Sequence, residues 1–330
     1  MRKDHHMSTI IEVRRLEKRF GDVQAVTGVD FDVGAGELFG FLGPNGAGKT
    51  TTINMLTGLA RPDAGTIRMG GIDCTNKPKA AQHLVGVVPD ESNLYPELTG
   101  YGNLCFCAAL YGMARRNRQA RARELLECFG LSDAAQRKFA AYSKGMKRKL
   151  TIAAGIIHSP AILFLDEPTT GLDVASARQV RQLVADLNAA GTTIFLTTHY
   201  IEEAERLCGR IAFIVGGRIV RIDTVEDLMQ PMQGRHMVEF VFNGGAAGVE
   251  AALHEAFPEL EPQVVGDGRL RVSSDRPVRI NPLVRFFEDR GVEVAEARKV
   301  RPTLEDVFVE VTGIEAASMK REKDKAGAGR

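Results

Sequence analysis

Apolar residues recur along this chain in two rhythms. Residues 10–13 and 29–33 alternate apolar with polar positions, the pattern of strands with one buried face. Leu38–Leu42, residues 162–165 and residues 193–196 are largely unbroken apolar runs. Such runs suit strands buried on both faces of a parallel sheet. Short strands are also expected at 66–69, beside the turn signals of RPDAG, and at 85–88. Helical stretches are expected over 101–129 and 175–187, and a further helix follows residues 142–146 into KRKLTIAAGIIH. Residues 211–215 and 218–222 flank Gly216-Gly217 and read as a β-hairpin.

Beyond Pro231 the composition shifts. A strand at 237–242, a helix at 248–257, strands at 263–265 and 269–272, a helix at 282–290 and a strand at 292–297 follow in turn. That β-α-β-β-α-β order predicts a small ferredoxin-like domain. RPTLEDVFVEVTG adds a last helix capped at Gly313. The tail at 314–330 is charged and poor in apolar residues, so disorder is expected there. No acids, histidines or cysteines converge in this part of the chain, and no chemistry is assigned to it.

Candidate chemistry collects where the apolar runs end. Leu38–Leu42 leads into GPNGAGKT, in which Gly43, Gly46, Gly48, Lys49 and Thr50 match GxxxxGK[ST], the Walker A phosphate loop. Glycines let the backbone fold into a concave nest of N–H groups, and the helix that follows adds its positive end. Lys49 supplies a point charge for β- and γ-phosphates, and Thr50 a hydroxyl for Mg²⁺. The run 162–165 delivers Asp166 and Glu167 at its carboxyl end, where open α/β sheets bind ligands. Adjacent carboxylates there suit a division of labour: Asp166 holds Mg²⁺ through water and Glu167 polarises an attacking water. A purely structural role for two such acids fits poorly, because burying them unpaired is costly. His199 follows the run 193–196 at another carboxyl end, which favours a site role over a structural one. Ser143 either caps a helix or, with Gly145, forms an anion-binding helix entry. Phe20, set among Lys18, Arg19, Gly21 and Asp22, is either a core ring or an exposed one able to stack on a base.

Composition narrows the setting. The 330 residues are 44% hydrophobic and 26% charged, ordinary for a globular protein of one large or two average domains. A net charge of +1 gives no global field for nucleic acid. The arginine-rich stretch RRNRQARAR lacks interleaved aromatics and precedes Glu124 and Glu127, so it reads as a solvated helix face. Five scattered cysteines without a CxxC pair read as reduced cytosolic thiols. The first residues carry Lys and Arg but no apolar stretch, so export is not expected. No run is long and apolar enough to cross a bilayer, which leaves any membrane role to a partner.

GPNGAGKTT, YSKGM followed by KRKL, ILFLDEPTTGLD and TTH occur in that order. Together they resemble the nucleotide-binding subunit of an ATP-binding cassette (ABC) transporter, and the YSKGM form resembles the branch that pairs with separately encoded export permeases. The resemblance implies a P-loop NTPase: a RecA-like parallel core, an antiparallel edge sheet and a helical subdomain. It places a nucleotide-binding domain at 8–230, with the helical subdomain near 80–155, and an accessory α+β domain at 237–313.

The site residues carry over position by position. Phe20 would stack on adenine. The loop from Gly43 through Pro44, Asn45, Gly46, Ala47 and Gly48 to Lys49, with Thr50 and Thr51, would hold ATP. Thr50, Asp166 and Asp90 would serve Mg²⁺, while Glu167, His199 and Lys49 would act on the γ-phosphate. Ser143 and Gly145 would meet the ATP of a second copy, and Asp173 would lie at that dimer interface. The implied partners are a second copy and an integral membrane permease, with the chain peripheral on the cytosolic face of the cell membrane. Three positions depart from the commoner pattern: Lys144 replaces Gly, Met146 replaces Gln and Asp90 replaces Gln.

Competing functions fit less well. A guanine-specific NTPase would need an acid that NKPK at Asn76 lacks. A cassette ATPase of translation or DNA repair is the alternative reading. Such proteins usually carry two cassettes or long coiled-coil insertions, and neither is evident here. A non-hydrolysing regulator would not need both Glu167 and His199, and a scaffold leaves the ordered motifs unexplained.

Overall fold

The computed structural model describes residues 8–243, 248–265 and 268–314, so nearly all of the tail at 314–330 lies outside the described residues. The chain forms two compact units, one ending at Thr224 and the other beginning at Val225.

The first unit opens with two long antiparallel strands, β1 (Thr9–Phe20) and β2 (Val23–Gly34). Then come β3 (Leu38–Leu42), α1 (Lys49–Leu56), β4 (Ala64–Met69), β5 (Ile72–Asp73) and β6 (Val85–Val88). Three helices follow: α2 (Gly100–Leu110), α3 (Arg115–Cys128) and α4 (Lys144–Gly155). The unit ends with β7 (Ile162–Asp166), α5 (Val174–Ala189), β8 (Thr193–Thr198), α6 (Ile201–Leu207), β9 (Arg210–Val215) and β10 (Arg218–Thr224).

One sheet has the order β2-β1-β4-β5 and is antiparallel. The other has the order β10-β9-β3-β8-β7-β6 and is parallel from β9 to β6. Phe31 of β2 joins the two layers: its ring lies 5.7 to 5.8 Å from those of Phe39, Phe41 and Phe195. Every residue of β3, β7 and β8 is buried, as their unbroken apolar character requires. The parallel register sets Leu42 beside Thr198 and Asp166 beside Thr197. The carboxyl ends of β3, β8 and β7 therefore lie side by side.

One expectation needs correction. The helical stretch 101–129 is two helices, α2 and α3, because Gly112 between them takes φ +75, which no helix interior accepts. Residues 85–88 form the expected strand, which pairs with β7 as the edge of the parallel sheet, and the α-helices of the span 80–155 begin at Gly100. On α3 the arginine-rich face is solvated, while Ala122, Leu125 and Leu126 are buried.

In the second unit α7 (Val225–Met229) precedes β11 (His236–Phe242), α8 (Val249–Ala256), β12 (Glu261–Val264) and β13 (Arg269–Ser274). α9 (Ile280–Glu288), β14 (Val294–Val300) and α10 (Leu304–Thr312) complete it. The antiparallel order β12-β13-β11-β14 is that of a ferredoxin-like split βαβ fold. Phe240 and Phe242 meet Phe287 edge-on at 5.0 Å in its core. Gly313 closes α10 at φ +67.

All expected nucleotide residues lie in the first unit. A chain ending at Thr224 is accordingly expected to bind ATP with an affinity within about threefold of the full chain. Equilibrium ATP titration of the truncated and full chains tests this; a folded truncation that does not bind ATP would contradict it.

Candidate nucleotide site

β3 hands the chain to a loop that only glycine can build. A Cβ on Gly43 would sit 2.1 Å from the carbonyl oxygen of Ile214 in β9. Gly48 caps α1 at φ +102, and a Cβ there would sit 2.5 Å from the Ala25 carbonyl. The loop is thus pressed between β9 and β2, with its N–H groups at the start of α1. Among the described residues, Asn45 Nδ2 is buried with no hydrogen-bond partner, a donor suited to an incoming oxygen ligand.

Lys49 does not extend into solvent. Its Nζ donates to the carbonyls of Gly43 at 2.7 Å and Pro44 at 3.0 Å, and lies 3.3 Å from Glu167 Oε1. The other carboxylate oxygen of Glu167 lies 2.7 Å from His199 Nδ1 and accepts from Thr170 Oγ1 at 3.1 Å. One carboxylate, on the residue that follows β7, therefore gathers the lysine that follows β3 and the histidine that follows β8. Burial pushes the Glu167 carboxyl up, but the His199 hydrogen bond and the Lys49 charge outweigh it and leave it below the usual glutamate range.

Glu167 itself takes φ +49, a left-handed conformation that costs a side-chain-bearing residue about 1–2 kcal/mol. Its N–H is held by the Thr197 carbonyl at 3.1 Å, which fixes the turn. Asp166, 5% exposed, accepts a hydrogen bond from Thr197 Oγ1. Burial raises its carboxyl above the usual aspartate range; hydrogen bonds from Thr197 and Thr50 oppose that, and the nearby charges of Glu167 and Asp90 add to it. Thr50 and Asp166 are thus neighbours, two hard oxygen donors beside the phosphate loop. Among the described residues no group of three or more His, Cys, Asp or Glu could hold a metal by itself. That donor set suits Mg²⁺, which usually takes only one or two protein ligands and completes its shell with phosphates and water.

Residues 26–170 match the family described as ABC transporter. The daunorubicin resistance ATP-binding protein DrrA3 of Streptomyces coeruleorubidus is 39% identical over 92% of this chain and 96% of its own length. The chain belongs to the ABC transporter family. The Nod factor export ATP-binding protein I of Burkholderia lata is also 39% identical, over 92% of this chain and 97% of its own. A dimeric ATP-binding cassette in a post-hydrolysis state, bound to ADP and Pi, superposes with a TM-score of 0.60 at 26% identity, covering 66% of this chain and 99% of the cassette. The ABC subunit described here binds ATP and is an ATPase.

Other expected site residues of the ABC subunit are arranged as follows. Phe20, at the end of β1, is 54% exposed, and Lys18 Nζ sits 5.3 Å from its ring centroid. Ser143 caps α4, its Oγ accepting from Met146 N at 3.3 Å. Gly145 lets α4 approach α5: a Cβ there would lie 2.5 Å from Ser176 Oγ. Asp173 caps α5 by accepting from the N–H and hydroxyl of Ser176, and these bonds hold its carboxyl below the usual range. Asp90 lies with Oδ1 3.7 Å from Arg148 Nη2. Sequence reasoning missed Thr197 and the pair behind His199, in which Thr198 Oγ1 donates to the buried Glu203 at 2.9 Å. Burial raises the Glu203 carboxyl. Neither threonine stands out in an apolar strand, and only the β7–β8 pairing gives Thr197 its partner.

Proposed function

We propose that this ATPase works as an ATP-dependent homodimer on the cytosolic face of the cell membrane and drives a separately encoded export permease. The observation that carries the catalytic reading is the buried Glu167 carboxylate, gripped at once by Lys49 and His199. When ATP binds, Lys49 exchanges the Gly43 and Pro44 carbonyls and Glu167 for phosphate oxygens. Glu167, still oriented by His199 and Thr170, takes the proton of the attacking water. His199 contacts the γ-phosphate, and Phe20 stacks on adenine. The loop from Gly43 to Thr51 holds the phosphates. Ser143 and Gly145 serve the ATP of the second copy, across an interface that includes Asp173. Thr50 and Asp166 would hold Mg²⁺, with Asp90 as a further oxygen acceptor. The ion, when bound, neutralises charge on the phosphates.

Export is supported by relatives named for daunorubicin resistance and Nod factor export. A permease partner is supported by the apolar surface of Tyr95, Leu98, Phe106 and Leu110, which are 53%, 36%, 38% and 72% exposed. No helix among the described residues is long and apolar enough to cross a membrane, so transport needs a partner that spans it. A permease of about six spans encoded beside this chain is expected to co-purify with it and to raise its ATPase rate in lipid vesicles. Absence of both association and stimulation would overturn the transport reading. Stimulation by ribosomes or DNA instead would favour the translation or repair alternative.

A further inference from the structure

We propose that Arg148 is a positioning residue that ties the turn carrying Glu167 to the loop carrying Asp90, and so keeps the water-activating carboxylate in register with the helix that begins after Ser143. The inference rests on the catalytic reading of Glu167 given above.

Arg148 belongs to α4, whose N-cap is Ser143. Its neighbours Lys147 and Lys149 are half-buried, whereas Arg148 is only 8% exposed. Its guanidinium collects backbone carbonyls from two distant segments. Nη1 donates to Pro89 O and Nη2 to Asp90 O, each at 2.6 Å, and Nη2 also reaches Glu167 O at 3.4 Å. The Asp90 carboxylate stands 3.7 Å from the same nitrogen. Joining α4 to the sheet does not require a charge, since Leu150 and Ile152 on the same helix are fully buried without one. Burying a guanidinium is costly unless its donors are met, and the price is justified only by what the fork holds.

What it holds is specific. The Glu167 carbonyl belongs to the residue with left-handed φ, and the N–H of that residue is fixed from the opposite side by Thr197. Arg148 and Thr197 therefore clamp both faces of the turn that aims the Glu167 carboxylate. The same fork grips consecutive carbonyls at Pro89 and Asp90, just past β6, Nη2 being shared between Asp90 and Glu167. These contacts use backbone atoms, so they survive the replacement of Gln by Asp at position 90. A shift of α4 would carry the guanidinium with it and move both segments together. Burial draws the Arg148 pKa down, while Asp90, Asp166, Glu167 and Glu203 oppose that, so the cation also offsets the charge of nearby acids, three of them buried. Lysine keeps the charge but replaces the rigid planar fork with a single ammonium that cannot reproduce its geometry, and methionine cannot donate at all.

The test compares the full-length parent with Arg148→Lys, Arg148→Met, Glu167→Gln and Arg148→Met/Glu167→Gln, measuring ATP affinity, thermal unfolding and ATP turnover. A misplaced catalytic group loses about 10–100-fold in rate. Both Arg148 variants are expected to lose that much in kcat while keeping ATP affinity within about threefold. The double variant is expected to be no slower than Glu167→Gln alone, because Arg148 acts through Glu167. Should Arg148→Met fail to fold, Arg148→Lys, which keeps the charge, carries the comparison in both the parent and the Glu167→Gln background. Turnover of the Arg148 variants within about threefold of the parent, or losses that multiply with Glu167→Gln, would overturn the proposal. Normal turnover in Glu167→Gln alone would instead overturn the catalytic reading of Glu167, and this inference with it.

Discussion

Glu167→Gln is expected to lower ATP turnover by about 10²–10⁴-fold, the usual worth of a positioned general base. The amide keeps the shape of the side chain and can still meet Thr170, but it cannot take a proton from water. ATP binding should persist or tighten. In the parent, Lys49 sits 3.3 Å from Glu167 Oε1, and the nucleotide must compete with that ion pair; glutamine weakens the competitor. If hydrolysis separates the two copies of the proposed ATP-dependent homodimer, the variant should accumulate as an ATP-bound dimer. Size-exclusion chromatography with and without ATP, beside a steady-state phosphate-release assay, reads both effects. A variant turning over within about threefold of the parent would remove Glu167 from the chemistry.

Lys49→Met should act on the other half of the cycle. Methionine preserves the buried stem, so the loop between β9 and β2 keeps its packing, but the ammonium is lost. Truncating one partner of a buried charge-assisted contact costs about 2–5 kcal/mol, which corresponds to about 30- to 4,000-fold in ATP affinity. The same change strips Glu167 of its cation while His199 remains, so the unliganded variant should also be less stable than the parent. Calorimetric ATP titration together with denaturant unfolding distinguishes the two consequences. Unchanged affinity would show that Lys49 serves the resting structure alone.

Much of this site was legible without coordinates. The glycine spacing before Lys49, two acids after one apolar run and a histidine after another each mark the carboxyl end of a buried strand, and that inference needs only local pattern. The β-α-β-β-α-β order of the second unit was readable for the same reason: alternation and turn residues report which face of a segment is wet. Element limits were less secure. Strands β1 and β2 extend well past residues 10–13 and 29–33: charged residues interrupt the apolar rhythm in the rest of β1, and residues 23–28 of β2 mix polar with small apolar ones, yet the two segments stay paired in the ladder. Gly112 marked the break between α2 and α3, yet the surrounding apolar content concealed it.

By itself, then, the sequence determined the phosphate loop, the acids and histidine that accompany it, and the two fold classes. Each of these is written in residues close together along the chain. The tertiary structure alone decided which of them touch. The order β3-β8-β7 brings Lys49 and His199 to the Glu167 carboxylate, and the same packing turns Arg148, one basic residue in a KRK run, into a buried fork on Pro89, Asp90 and Glu167. The physical reason is that hydrophobic periodicity reports burial, which is a property of one segment. A hydrogen bond between remote segments instead depends on how several buried faces pack together, and no local pattern encodes that choice.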